Sequence, residues 1–170
     1  MSESRFTFEP LGPTHDRAAF SCGVDPLDRY LQRQARQDVD RGVAAVTVMF
    51  DNENGLVAGY FTLSAASIHP SDLPSDISRK MPNYPLLPAM LIGRLALDER
   101  FHGQGLGEIL LIRALGLARR LTTRIGAIAV LVDAKDDRAR RFYERFQFVR
   151  LVSDEYRLVI SMKAVERLYG

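Results

Sequence analysis

The side chains and glycines most suited to binding and catalysis are concentrated between Leu91 and Leu121, LIGRLALDERFHGQGLGEILLIRALGLARRL. An apolar run leads into a polar turn, and Gly103, Gly105 and Gly107 then alternate ahead of an apolar helix pattern. A strand that delivers a glycine-rich turn onto a helix N-terminus is a device for holding phosphate. The helix end offers unpaired N–H groups and about half a positive charge. Glycine leaves the backbone bare, so a ligand can approach closely. Two familiar nucleotide turns are excluded by single residues. G-x-G-x-x-G needs a third glycine where Leu110 stands, and Gly-Lys-Ser/Thr needs a lysine that these glycines lack. A turn with only a packing role is the other reading of the same residues.

Behind this turn, Ala89 to Leu97 is apolar on both faces, as in the middle of a sheet. Ahead of it, Gly105 to Leu121 predicts a largely buried helix with Leu106, Leu110, Ala114, Leu117 and Leu121 on one face. Earlier in the chain, Arg5 to Pro10 reads as a short strand. Asp25-Pro26-Leu27-Asp28 reads as a helix start, with Asp25 as cap and Pro26 in the first position. Leu27, Leu31, Ala35 and Val39 form its buried stripe, and Arg29, Arg33 and Arg36 fall off that stripe. Val43 to Phe50 and Leu56 to Ile68 are strands about a hairpin loop, Asp51 to Gly55. His69 to Pro88 is a proline-punctuated connection with a helical turn near Asp76 to Lys80. Ile125 to Val132 is a central strand. Asp136 to Phe146 is a short helix with Ala139, Phe142, Tyr143 and Phe146 inward and its arginines outward. Phe148 to Val152 and Arg157 to Met162 are closing strands, and Lys163 to Tyr169 is a terminal helical turn. Alternation of strand and helix followed by strands gives an α/β fold with a mixed sheet.

The chain of 170 residues suits one domain, 1–170. The first residues, MSESRFTFEP, have no signal-peptide core, the apolar runs fall short of a membrane span, and Cys22 is the only cysteine. These features favour a cytoplasmic protein without an internal disulfide. His15, His69 and His102 are scattered, so no metal site is expected. The formal net charge is +2, and Lys80, Lys135 and Lys163 are the only lysines. Arginine favours bidentate contact with phosphate. Clusters at Arg29, Arg33 and Arg36, and at Arg138, Arg140, Arg141 and Arg145, are either solvated helix faces or a footprint for a polyanion such as RNA.

His102-Gly103-Gln104-Gly105-Leu106-Gly107 resembles the pyrophosphate loop of GNAT-superfamily N-acetyltransferases, Gln/Arg-x-x-Gly-x-Gly/Ala. His102 replaces the usual Gln or Arg, either contacting phosphate as a neutral donor or pointing to solvent. Downstream, Asp136, Ala139 and Tyr143 match the pattern Asn-x-x-Ala-x-x-x-Tyr, with Gln147 in place of a usual Gly before Phe148. The resemblance implies a GNAT fold, a mixed, mostly antiparallel sheet of about six to seven strands flanked by helices. It also implies acetyl-CoA as acyl donor. The turn from His102 to Gly107 would hold its pyrophosphate, the backbone of Leu95, Ala96 and Leu97 would pair with its pantetheine, and Asp136 and Phe142 would lie on the cofactor side. Tyr143 would protonate the leaving thiolate, with an ordinary pKa near ~10.

The segments FSCGVDPLDRYLQRQARQDVDR, GYFTLSAASI, IGRLALDERFHGQGLG and VDAKDDRARRFYERFQF are similar to those of GNAT-type toxins of bacterial toxin–antitoxin pairs. That resemblance implies acetylation of the α-amine of aminoacyl-tRNA, which blocks translation, a ribbon-helix-helix antitoxin as partner, and a homodimer. The arginine clusters then become candidates for tRNA phosphates, a reading drawn from charge alone. No carboxylate or histidine is placed as a base. This favours an α-amine, which titrates near ~8, over a lysine amine near ~10.4. The alternatives are an acetyltransferase for a peptide N-terminus or small amine, and a non-catalytic acyl-CoA-binding module.

Overall fold

A computed structural model describes residues 4–170. The chain divides into two compact units, Met1–Ser64 with Arg94–Arg113, and Ala65–Gly93 with Ala114–Gly170.

In the first unit, β1 (Phe6–Pro10) pairs antiparallel with β2 (Ala45–Asp51), which pairs antiparallel with β3 (Leu56–Ile68) around the expected hairpin. The helical region runs through α1 (Asp25–Arg29), a π-helical turn Tyr30–Gln34, and α2 (Ala35–Asp40). The expected cap does not form. Val24 is the N-cap and makes no side-chain cap bond, while the buried Asp28 carboxylate accepts Cys22 N–H at 2.8 Å and fixes the approach to the helix from inside. Leu31 and Ala35 are buried and Leu27 and Val39 partly so, as their spacing predicts. The π turn, in which Ala35 N–H reaches back to Tyr30 O, also carries Tyr30 into the core. There it meets Phe20, Val46, Val48, Val57, Tyr60 and Ala96. Each such large side chain contributes roughly 1.5–3 kcal/mol by leaving water. Tyr60 keeps its hydroxyl satisfied by donating to Leu27 O at 2.7 Å. Gly59 lets β3 lie close to the next segment, since a Cβ there would come within 2.9 Å of Ala96 O.

In the second unit, β4 (Leu87–Leu97) pairs parallel with β5 (Ala129–Asp133) at Met90 to Ile92. β5 pairs antiparallel with β7 (Arg157–Ser161), and β7 with β6 (Val149–Arg150). β5 starts later than predicted. Ile125 is 60% exposed and its N–H still bonds Leu121 O, so the chain is leaving a helix there. β6 is shorter than predicted because Val152 N–H bonds Asp72 O instead of a strand. A 3-10 turn Pro70–Asp72 and α3 (Ser75–Ser78) occupy the proline-rich connection. The terminal turn is a full helix, α6 (Met162–Tyr169), capped by Ser161 Oγ accepting Ala164 N–H at 3.1 Å. The core of this unit gathers Ile68, Leu73, Leu87, Ala89, Ala129, Leu131, Leu151 and Val159.

Helix α4 (Leu106–Leu121) runs from one unit into the other. Its buried face is Leu110, Leu111, Ala114, Leu115 and Ala118, and Leu121 is exposed. A row of i+4 and i+3 steps drifts around a 3.6-residue helix, so the predicted face is rotated at its far end. The strands follow the order β1-β2-β3-β4-β5-β7-β6 in one mixed sheet. Among the described residues no helix is long and apolar enough to cross a membrane.

Candidate active site

The end of β4, from Arg94 on, belongs to the first unit. Arg94 N–H donates to Thr62 Oγ1 at 3.1 Å and Asp98 N–H to Ala58 O at 2.8 Å. Ala96 is buried, and Leu95 and Leu97 are half-buried. Asp98 is buried and caps the 3-10 turn Glu99–Phe101. Burial alone would raise its pKa. Hydrogen bonds from the Arg100 guanidinium and from Ser21 and Arg100 N–H groups overcome this and hold the carboxyl below the usual carboxylate range.

The glycine turn follows directly. Gly103 (φ 79°) and Gly105 (φ 74°) adopt the left-handed conformation, and no atom lies near a Cβ at either position. Glycine is therefore required there by the backbone, not by space. Gly107 differs: it is the second residue of α4. Gln104 is exposed and Leu106 buried. His102 is exposed, and its ring also reaches back toward the strand. Its Nε2 lies 2.7 Å from Leu97 O, so the ring donates back to the strand end and staples the turn to β4.

In the second unit, α5 (Asp137–Arg145) presents the tyrosine. Asp136, expected on the cofactor side, caps this helix by accepting Ala139 N–H at 2.8 Å. Tyr143 is buried, edge-on to Phe142 at 5.4 Å and to Phe148 at 5.6 Å between ring centres. Burial, and then the Asp133 charge, push its hydroxyl pKa well above the ordinary phenol value. The group holds its proton through the neutral range and can act as a donor. Gln147, at the family's glycine position, has φ 73°, which explains why that pattern prefers glycine.

Arg29, Arg33 and Arg36 are exposed, as predicted, and Arg36 reaches Asp40 at 3.4 Å. Arg138, Arg141 and Arg145 are exposed and, with the half-buried Phe142 and Glu144, line an open hollow of about 760 Å³. Arg140 is not outward. Its side chain is only 13% exposed, packed 4.9 Å from the Tyr156 ring and faced by Asp137, Glu144 and Glu155 at 3.4–3.7 Å. The turn before β7 folds back and uses this arginine as a structural contact.

Two features were missed. The Arg94 guanidinium lies over Tyr30, and its only sequence signal was a charge inside an apolar strand. Asp133 and His69 share a cavity in the second unit, which nothing in their 64-residue-apart positions could reveal.

The model of the acetyltransferase (GNAT) family matches residues 16–148. The tRNA-acetylating toxin of Mycobacterium tuberculosis (strain ATCC 25618 / H37Rv) is 35% identical over 160 residues, 94% of either chain. The solved structure of AtaT complexed with acetyl-methionyl-tRNAfMet superposes with a TM-score of 0.88 at 27% identity, covering 97% of this chain and 99% of that one. AtaTR bound with AcCoA does so at 0.85 and 27%, covering 98% and 99%.

Proposed function

The chain belongs to the acetyltransferase (GNAT) family, and from that premise we propose that it is the toxin of a toxin–antitoxin pair, acetylating the α-amine of aminoacyl-tRNA and so blocking translation. The observation that carries this reading is the likeness, over 94% of both chains, to a tRNA-acetylating toxin. The solved relative holding acetyl-methionyl-tRNAfMet carries the product of that chemistry.

Acetyl-CoA is the donor, a choice supported by the relative bound with AcCoA. We assign its pyrophosphate to the Gly103–Gly107 turn and the first N–H groups of α4, which have no partner within the helix. Its pantetheine falls to the backbone of Leu95 and Ala96. Leu97 takes part as well, its carbonyl steadied by the His102 ring. Phe142 flanks the cofactor, and Asp136 acts by capping the helix that carries Tyr143.

In the transfer, the unprotonated amine forms the C–N bond as the C–S bond breaks. Tyr143 gives its hydroxyl proton to the sulfur, and the proton released from nitrogen restores the neutral tyrosine. A raised pKa keeps that proton in place until sulfur calls for it. Exposed Arg29, Arg33, Arg36, Arg138, Arg141 and Arg145 supply the phosphate contacts of tRNA. We further propose a single catalytic domain over residues 1–170, a homodimer, a ribbon-helix-helix antitoxin and a cytoplasmic site of action.

The test uses the purified protein with acetyl-CoA and charged tRNA. Acetylated aminoacyl-tRNA and growth arrest on expression, both lost in Tyr143→Phe, are the expected outcome. Normal growth with no tRNA product would overturn the reading.

A further inference from the structure

The second unit contains a cavity of about 300 Å³ with an apolar floor, Ile68, Leu131 and Leu151, and a polar rim. That volume is at the lower end for small-molecule sites. Asp133, the last residue of β5, stands on the rim and accepts two hydrogen bonds from the Arg157 guanidinium at 2.7 and 3.1 Å. One wall is fixed in place: the Asp72 carboxylate accepts Ser153 N–H and Oγ–H, both at 2.8 Å, and the Asp72 carbonyl accepts Val152 N–H at 2.9 Å. The segment after β3 is thus tied to the turn before β7.

The charge of this recess is opposite to that of the chain. Its lining carries Asp72, Asp133 and Asp154 against one guanidinium, Arg157, in a protein of net charge +2. The position is also informative. Asp133 belongs to the rim and is the last residue of β5, and the chain passes from it within four residues into α5, the helix that carries Tyr143.

We propose that this cavity seats the aminoacyl group of the acceptor, with the α-ammonium at the Asp133–Asp154 rim and the amino-acid side chain on the Ile68–Leu131–Leu151 floor. The inference rests on the acceptor being aminoacyl-tRNA. Such an acceptor is a polyanion whose α-amine, titrating near ~8, is its cationic group at neutral pH. Arginine faces recognise the polyanion, and a negatively charged recess recognises the one group of opposite sign, which gives a proton to solvent before the amine attacks. The apolar floor then makes the recess selective among side chains by size. One methylene more or less in an apolar pocket changes affinity by roughly 10–200-fold.

The experiment compares aminoacyl-tRNA with the same tRNA carrying the α-hydroxyacyl analogue, each as a competitor of acetylation by the full-length protein. The wild type is expected to bind the aminoacyl form about tenfold more tightly. Asp133→Asn should bring the two affinities together by weakening the aminoacyl form alone. Asp154→Asn, which breaks no ion pair, carries the same readout should Asp133→Asn fail to fold. An unchanged ratio in a folded variant, or an equal loss for both competitors, overturns the proposal. Failure of the wild type to acetylate any aminoacyl-tRNA is a separate result, and it would fall on the function itself.

Discussion

The Arg94 guanidinium lies 3.6 Å above the centre of the Tyr30 ring, and the Tyr30 hydroxyl donates to Asp38 at 2.8 Å. One ring thus joins the strand that leads to Leu95 with the helix that presents Arg29, Arg33 and Arg36. Burial, with the Asp38 bond, pushes the Tyr30 hydroxyl up to about 12. Arg94 is held by a π face instead of a carboxylate, so its charge stays available. Tyr30→Phe keeps the ring and removes the bond to Asp38. We expect a loss of about 1–2 kcal/mol in urea unfolding. Tyr30→Leu removes the π face as well and should cost more. Equal stability of the two variants would show that the stacked guanidinium adds nothing.

Tyr143 must be protonated to act, and its pKa is raised by burial and by Asp133. Loss of its proton therefore moves to higher pH. The kcat profile should stay flat on the alkaline side through at least pH ~10, the ordinary phenol value. Tyr143→Phe should lower kcat by about 10²–10⁴-fold at every pH. An alkaline fall with a midpoint well below that value in the wild type would remove Tyr143 as the acid.

Neighbouring arginines on α5 should behave differently. Arg141 is exposed, and Arg141→Ala should weaken tRNA binding and reduce the salt slope by about 1 without altering Tm. Arg140 is enclosed by Tyr156 and three carboxylates, so Arg140→Ala should lower Tm. Filter binding across a salt series and a thermal melt distinguish the two.

Asp51 is fully buried, and the Arg5 guanidinium bonded to it at 2.9 and 3.0 Å brings its pKa down to about 2. A depressed carboxyl stabilises the fold above its unfolded pKa near ~4, and that contribution is lost as pH falls through about 2. The stability gap between wild type and Asp51→Asn should therefore be full at neutral pH and shrink over that acid window. Chemical unfolding at several pH values measures it. A gap independent of pH would mean that Asp51 acts through shape alone.

The order of elements, the glycine turn ahead of α4 and the tyrosine on α5 were legible in the chain, because hydrophobic period and glycine spacing are local properties. Outward Arg29, Arg33 and Arg36 were legible for the same reason, since their positions follow from a helical stripe. Only tertiary structure decided what each polar atom touches. His102 turns back to Leu97, Asp136 spends its carboxylate on a cap, and Arg140 is enclosed by a turn that arrives from Glu155 and Tyr156. Asp72, Asp133 and Asp154 converge on one cavity through three separate segments. Hydrogen bonds and desolvation depend on groups distant in the chain. Periodicity could show which residues face inward, and it carried no information about their partners there.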